Sequence, residues 1–441
     1  MPSMHPAEPK GTGAQPLPGT TAVPSASSQA IPAPPCRFCA APLVRTFVDL
    51  GMSPLCESYL AADQLNAMEP FYPLHVRTCD RCLLVQLEQY VAPEEIFTEY
   101  AYFSSYSDTW LAHAAAYAEK MVSRFGLGPG SKVVEVASND GYLLRNFVRM
   151  GIPCLGSEPA VNVARVAVEQ GVPTLTEFFG RESARSIGAE HGRADLVLGN
   201  NVLAQVPDLN DFVGGIKILL ADRGVATLEF PHLMQLVQGN QLDTIYHEHF
   251  SYFSFYTVER IFAEHGIPLF DVEELPTHGG SLRIYARHDG DTTKPETDAV
   301  RSLRRKEQEG GFDRIEGYLS FAGQVEETKR ALLSFLIGTK RAGKTIAGYG
   351  APGKGNTLLN YCGVRTDFVD YTVDRNPYKQ GKFLPGTHIP IRAPERIRET
   401  KPDFVLILPW NFRDEIIRQN AFIREWGGRF VVPIPTVTIV P

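Results

Sequence analysis

The sequence predicts an α/β protein in which two nucleotide-type β/α halves follow a small metal-binding lobe. Three observations carry this. Two C-x-x-C pairs, Cys36/Cys39 and Cys79/Cys82, stand near the start of the chain. Further on, "VVEVASNDGYLL" (133–144) and "TIAGYGAPGKGNTLL" (345–359) each run from an apolar strand through a glycine-bearing loop into a helix. A chain of 441 residues has room for several cores. With 44% hydrophobic and 21% charged residues it reads as an ordinary soluble protein. A net charge of −7 argues against nucleic acid as a partner. No apolar run approaches the ~18 residues of a membrane span.

Residues 1–35 are rich in Pro, Ala, Ser and Gly, cannot offset the entropy of ordering, and read as a disordered tail. They contain no apolar signal region, so the expected setting is the reducing cytoplasm, with the seven cysteines free or metal-bound. Residues 36–92 form the metal-binding lobe. Two residues between thiolates let a tight turn aim both sulfurs at one ion, so Cys36, Cys39, Cys79 and Cys82 suit a closed, structural zinc site. The long segment between the pairs has the composition for a strand and a helix, and Cys56 within it reads as a small core residue.

Residues 93–290 form the first β/α domain. A helix is predicted over 110–125, a strand over 133–137, and a second helix from Tyr142 onward. Gly141 permits the tight turn, and the helix end behind it attracts polar groups. Glu158, at the tip of the next strand, is placed to accept the ribose hydroxyls of a nucleoside. Glu135 within the first strand, and a loop without the spaced glycines that admit a pyrophosphate, favour S-adenosylmethionine over a dinucleotide. Residues 291–441 form a second Rossmann-like domain. Its "GYGAPGKG" contains G-x-G-x-x-G and nearly matches a Walker loop, but Gly355 replaces the magnesium-holding Ser or Thr. A diphosphate cradled by Lys354, Gly355 and Asn356, with Asp374 as ribose partner and Lys382 nearby, is the expectation.

Between these halves lies "TIYHEHFSYFS" (244–254). It suits a general base, a metal site or a polar packing seam. H-E-H lacks the one-turn spacing of H-E-x-x-H, which weighs against metal. Histidine suits a base because its ordinary pKa leaves much of it neutral, and His247 and His249 should not both face one site unless the segment is a turn.

Taken together, "CRFC…CDRC", "YAYFSSYSDTW", "VVEVASNDGYLL", "NNVLAQVPDL", "TIYHEHFSYFS" and "GYGAPGKGNTLLNYCG…VDRNPYKQGKFLPGTHIPI" closely resemble the S-adenosylmethionine-dependent C-methyltransferases of nucleotide-linked keto-deoxysugars. The resemblance covers essentially everything after the tail. It implies a class I methyltransferase Rossmann-like domain between the zinc lobe and a C-terminal Rossmann-like domain. It also implies a nucleotide-linked 4-keto-deoxysugar as substrate, methylated through an enolate at C3 or, less commonly, C5. His249 then corresponds to the base, with Tyr246 and Glu248 as companions. The cofactor would be met by Glu135, Asn139, Gly141, Glu158 and Asn200, with Tyr102 and Ser104 from the closing segment. Where the family commonly carries a histidine thought to contact substrate, this chain has Gln205, which cannot take a proton at neutral pH. Two other readings stay open: a catalytically idle nucleotide-sugar-binding relative, and a nicotinamide-dependent oxidoreductase using the C-terminal loop.

Overall fold

The computed structural model describes residues 33–97, 104–106 and 108–441. The proposed tail, apart from its last residues, lies outside the described residues, as do Tyr102 and most of the "YAYFSSY" segment.

Three sheets organise residues 34–441. The first is antiparallel, in the order Arg45–Ser53, Tyr72–Thr78, Val85–Leu87, Ser251–Tyr252. Its fourth strand comes from far along the chain, directly after His249. Gln86 pairs with Ser251 and Val85 with Tyr252. On either side of this pairing, Leu87 N–H donates to the Phe250 carbonyl (3.0 Å) and Phe250 N–H to the Ala204 carbonyl (2.7 Å).

The second sheet has seven strands in the order Leu269–Leu275, Ser281–Ala286, Leu220–Pro231, Ala194–Asn200, Val133–Val136, Cys154–Ser157, Thr174–Leu175. Six run in one direction, and Ser281–Ala286 runs antiparallel to both its neighbours. The crossover from Val133–Val136 to strands on either side makes a switch point, where crevices open at the strands' C-terminal ends. Strand interiors are fully buried, as Val133, Val134, Leu196 and Leu198 show, so the parallel core reads as continuous apolar runs.

The predicted first helix spans Asp108–Phe125. The one expected from Tyr142 begins at Leu144, because the tight turn at Gly141 must finish first. Gly141 has φ +75°, and a Cβ there would sit 3.0 Å from the Val172 side chain. The position therefore requires glycine both for its backbone and for its neighbours.

The third sheet runs Ile391–Arg392, Thr372–Val373, Ile346–Tyr349, Phe404–Ile407, Arg429–Val432, Thr438–Val440, parallel except at the last strand. The helix Gly353–Cys362 follows Ile346–Tyr349, as the glycine loop predicts.

One expectation fails in the segment between the cysteine pairs. It supplies the strands Arg45–Ser53 and Tyr72–Thr78 but no α-helix, with only turns and a single 3-10 turn at Ala62–Gln64 between them. The reason is its destination, since Pro54–Glu69 extends across the molecule to the C-terminal sheet. Leu60 pairs with Phe383, the Tyr59 hydroxyl donates to the Ala351 carbonyl (2.6 Å), and Glu69 accepts from Gly386 N–H (2.6 Å) and meets His388 (3.0 Å). An extended strap can reach these partners, whereas a helix would satisfy its backbone internally and fall short.

Candidate active site

The four cysteines converge. One sulfur from each of Cys36, Cys39, Cys79 and Cys82 lies within 4.8 Å of the others, with Cys36–Cys82 at 3.6 Å and Cys39–Cys79 at 3.5 Å. Four sulfurs about 2.3 Å from one tetrahedral ion stand about 3.8 Å apart, so the set fits zinc. Both knuckles fold alike. Ala40 (φ 58°) and Leu83 (φ 62°), each following a pair's second cysteine, take the left-handed conformation. Their N–H groups return to the carbonyls of Cys36 and Cys79 (both 2.9 Å). Gln86 donates to the Cys36 sulfur (3.2 Å) and accepts from Arg37 N–H, holding a ligand from outside the set. Four ligands leave no open position for substrate.

A cavity of about 310 Å³ opens at the switch point of the seven-stranded sheet. Of the predicted cofactor contacts, Ser104, Asn139, Glu158 and Asn200 line it. Glu158 is committed on one side: its two oxygens accept Asn139 N–H (2.8 Å) and Ala160 N–H (2.9 Å). Each oxygen retains a lone pair for a ribose hydroxyl. Burial raises the Glu158 pKa, while those two N–H bonds oppose the rise. Asn139, itself at φ 51°, accepts from Ser104 N–H (2.9 Å), which ties Ser104 to the loop.

Two predicted contacts stand away from the cavity wall. Gly141 shapes the turn without lining it. Glu135 lies one residue before the lining pair Val136 and Ala137 and is fully buried, with neither oxygen bonded. Burial, then the Glu158 and Asp140 carboxylates, push Glu135 well above the usual range. Orphaned polar atoms at Glu135, Ser138 and Asn200 beside aromatic walls from Trp110, Tyr142 and Phe179 fit a polar amino-acid nucleoside. Gln205, expected at the sugar, instead lines this cofactor cavity, because the 3-10 turn Leu203–Gln205 directly follows the strand that ends there.

The H-E-H segment is a turn, with His249 N–H returning to the Tyr246 carbonyl (2.9 Å), and its two histidine side chains still part. His247 turns to the first sheet, with Nε2 3.2 Å from the Pro73 carbonyl and Tyr72 edge-on. His249 is buried, and its Nδ1 lies 3.0 Å from the Thr244 carbonyl. A carbonyl only accepts, so the neutral ring carries its proton on Nδ1 and leaves the Nε2 lone pair free. The orienting group is therefore a backbone carbonyl, where the sequence suggested Glu248. Glu248 faces another way and accepts from the Cys56 thiol (3.6 Å). Burial, aided by the nearby His278 and Lys354, lowers the His249 pKa to about 4. Tyr246 packs on the ring at 4.1 Å between centroids. Burial first and Glu248 second hold its hydroxyl well above the usual range, so it stays a phenol.

The glycine loop of the C-terminal sheet does not form the predicted cradle. Cys56 and Glu57 of the strap cover Gly353, Gly355 packs on Leu408, and buried Asn356 donates to the Cys56 carbonyl. Asp374, expected at a ribose, accepts Ala351 N–H (2.7 Å) and Asn376 N–H (2.8 Å), one on each oxygen, as Glu158 does, and retains a lone pair on each. Lys382 is exposed and lines neither cavity described in this section. Lys354 turns away from the loop, donating to Asn411 (3.3 Å) and lying 5.0 Å above the Trp410 ring. Burial lowers its pKa, and Asp243, which accepts from the Trp410 indole N–H (2.7 Å), opposes that.

Beside this group is a second cavity of about 230 Å³, lined by Thr109, Trp110, His113, Thr277, His278 and Asn411 among others. Trp110 also lines the cofactor cavity, so the two share a wall. The sequence reading missed this set. The available signal was "THGG" (277–280) between two strands, a histidine and two glycines in one tight turn.

Comparison with known proteins agrees with this architecture. Family models match residues 36–97 ("Putative zinc binding domain"), 110–271 ("Methyltransferase domain") and 276–435 ("C-methyltransferase C-terminal domain"). C-methyltransferase NovU of Streptomyces niveus is 36% identical over 405 residues, spanning 92% of this chain and 96% of that protein. Among solved structures, magnesium protoporphyrin IX methyltransferase from Synechocystis with bound S-adenosylmethionine matches at 14% identity. It covers 41% of this chain and 81% of its own, at TM-score 0.31. A methyltransferase from Clostridium acetobutylicum matches at 9% identity over 40% and 91%, at TM-score 0.33. The extent of the match to NovU and the three consecutive models place the chain in the S-adenosylmethionine-dependent C-methyltransferase family, with a zinc-binding N-terminal lobe.

Proposed function

We propose that the chain methylates a carbon, C3 by preference, next to the 4-keto group of a nucleotide-linked deoxysugar, with His249 as general base. The observation that carries this is the His249–Thr244 hydrogen bond. It fixes the tautomer with a free Nε2 lone pair, in a ring that its surroundings keep neutral.

A carbon beside a ketone becomes nucleophilic only after losing a proton. His249 takes that proton at Nε2. Tyr246, a phenol packed on the imidazole, is a hydrogen-bond donor for the oxygen on which charge develops. Glu248 maintains that phenol and bonds the Cys56 thiol, which joins the strap to the site. Asn139, Glu158, Asn200 and Ser104, which line the cavity, would hold the cofactor, and it would supply an electrophilic methyl on a sulfonium. The sugar occupies the second cavity, on the far side of Trp110, and the nucleotide extends past Phe412, an exposed ring at its edge. Lys354 bonds Asn411 on the wall of that cavity, and no diphosphate role is assigned to Gly355 or Asn356. A substrate spanning both sheets suits a chain that contributes walls from each.

The test is incubation with methyl-labelled S-adenosylmethionine and a panel of nucleotide-linked 4-keto sugars, with NMR locating the new methyl group. His249→Asn should bind cofactor as tightly as wild type by calorimetry and lose about 10²–10⁴-fold in turnover. Normal turnover by His249→Asn would remove the base assignment. A wild-type protein that binds the sugars but gives no cofactor signal would be the idle relative instead.

A further inference from the structure

The turn Thr277–Gly280 joins the edge strand Leu269–Leu275 to the reversed strand Ser281–Ala286, and its shape is unusual. His278 has φ 54°, followed by Gly279 at 92° and Gly280 at 117°. A histidine with positive φ is uncommon and is held only by its surroundings. Here the clamps are visible. A Cβ on Gly279 would lie 2.6 Å from the Trp410 ring, and one on Gly280 would lie 2.7 Å from Gln235. Trp410 is itself fixed through its indole bond to Asp243.

This turn delivers the imidazole to the partition between the two cavities. His278 lines the second cavity, and Trp110, which lines both, meets it edge-on at 5.2 Å. Its Nε2 lies 3.2 Å from the Asn201 side-chain nitrogen. Asn201 lines the cofactor cavity, has φ 58°, and is anchored by its own N–H to the Glu229 carbonyl (2.7 Å). An amide N–H donates, so Nε2 accepts and the neutral ring carries its proton on Nδ1. Nδ1 engages no other described side chain or backbone group. His249 shows the reverse arrangement, with Nδ1 bonded and Nε2 free. Burial and then the Lys354 charge lower the His278 pKa to about 4, which keeps the ring neutral. The chain therefore holds two neutral histidines of the same Nδ1–H tautomer with opposite nitrogens left free, one able to accept a proton at Nε2 and one able to offer a hydrogen bond from Nδ1.

We propose that His278 is a catalytic residue, donating its Nδ1–H to the substrate carbonyl oxygen as the enolate forms. The proposal rests on the reading that His249 abstracts the α-proton. The step balances as follows. The α-proton passes to His249 Nε2, the C–H pair becomes the new C=C bond, and the carbonyl π pair moves onto oxygen. His278 bonds that oxygen and keeps its own proton. The enolate pair then takes the methyl of a sulfonium donor, whose C–S pair stays on sulfur.

Exchange of α-deuterium from nucleotide-linked 4-keto sugars, followed by NMR without cofactor, reads the first half of this step alone. The turn's φ suits both glycine and asparagine, so His278→Gly and His278→Asn should fold. Calorimetry with S-adenosylmethionine checks the neighbouring cavity. Asn places an amide N–H near the Nδ1 position, and Gly removes the donor. The expected result is a loss of about 10²–10³-fold in exchange for His278→Gly, with His278→Asn within about tenfold of wild type. Exchange by His278→Gly at about the wild-type rate would overturn the proposal. So would a His278→Asn variant as slow as His278→Gly, since the ring would then serve packing alone. If His249→Asn kept its exchange while the His278 variants lost theirs, His278 would be the base, and the donor role and the His249 reading would both fall. Absence of exchange in the wild type with every sugar would remove both as well.

Discussion

The tautomer and charge of His249 can be measured without knowing the substrate. The perturbation is pH. Burial, then the nearby His278 and Lys354, move the ring from its ordinary 6.5 to about 4, and the Thr244 carbonyl keeps the remaining proton on Nδ1. At pH 5.5 an unperturbed imidazole would be about 9% neutral, whereas one with a pKa near 4 is about 97% neutral. A tenfold difference in available base follows. Long-range proton–nitrogen NMR on histidine-labelled protein, with His249→Asn to assign the signal, reads both quantities. At pH 5.5 the expected signal has a protonated Nδ1 and a bare Nε2, and it titrates only near pH 4. The rate of α-deuterium exchange should stay level from pH 8 to about 5 and fall about tenfold per unit below 4. Stability follows with the same sign. The unfolded chain accepts this proton below pH 6.5 and the folded ring resists it, so stability is lost as pH falls from 6.5 to 4. The loss is about 3 kcal/mol from this group once pH is below 4. A midpoint at or above 6, or a proton found on Nε2, would refute the reasoning and take the base assignment with it.

Two further outcomes test other parts of the molecule. Elemental analysis should find about one zinc per chain. Cys79→Ser should lose it and lower the melting temperature, because structural zinc contributes about 10–16 kcal/mol where it folds a module; a metal-free wild type of unchanged stability would contradict this. Replacing Glu158 with Ala removes the acceptor for Asn139 and Ala160 N–H. At about 1.5–3 kcal/mol for each charge-assisted bond, S-adenosylmethionine affinity should fall at least about tenfold by calorimetry. Unchanged affinity would show that Glu158 serves the loop alone.

What the sequence made legible was local in the chain. The cysteine pairs carry their spacing with them, and strand–loop–helix runs such as 133–149 announce themselves by apolar runs and a glycine. The C-terminal loop misled because its glycines are real but their use is set elsewhere. Gly353 admits Cys56 and Glu57 of the strap, and Gly355 admits Leu408, and no local pattern distinguishes such packing from a phosphate cradle. His278 was missed because the value of "THGG" depends on Asn201 and Trp410, distant in sequence.

The opposite error attended Glu248. Proximity in the chain made it a companion of His249, yet within this turn the two side chains diverge, Glu248 toward Cys56 and His249 toward the Thr244 carbonyl. The group that does orient the ring, a Thr244 carbonyl, is invisible in any sequence because every residue has one. The same geometry shows how a zinc lobe without chemistry of its own can bear on catalysis. Phe250, next to His249, is bonded by Leu87 of the lobe on one side and Ala204 beside the cofactor cavity on the other. Ser251 and Tyr252 then complete the lobe's sheet. Loosening the cysteine cluster would release the strand on which the base is hung. Zinc loss should therefore lower kcat more than it weakens S-adenosylmethionine, whose proposed contacts at Asn139, Glu158 and Asn200 come from a different sheet.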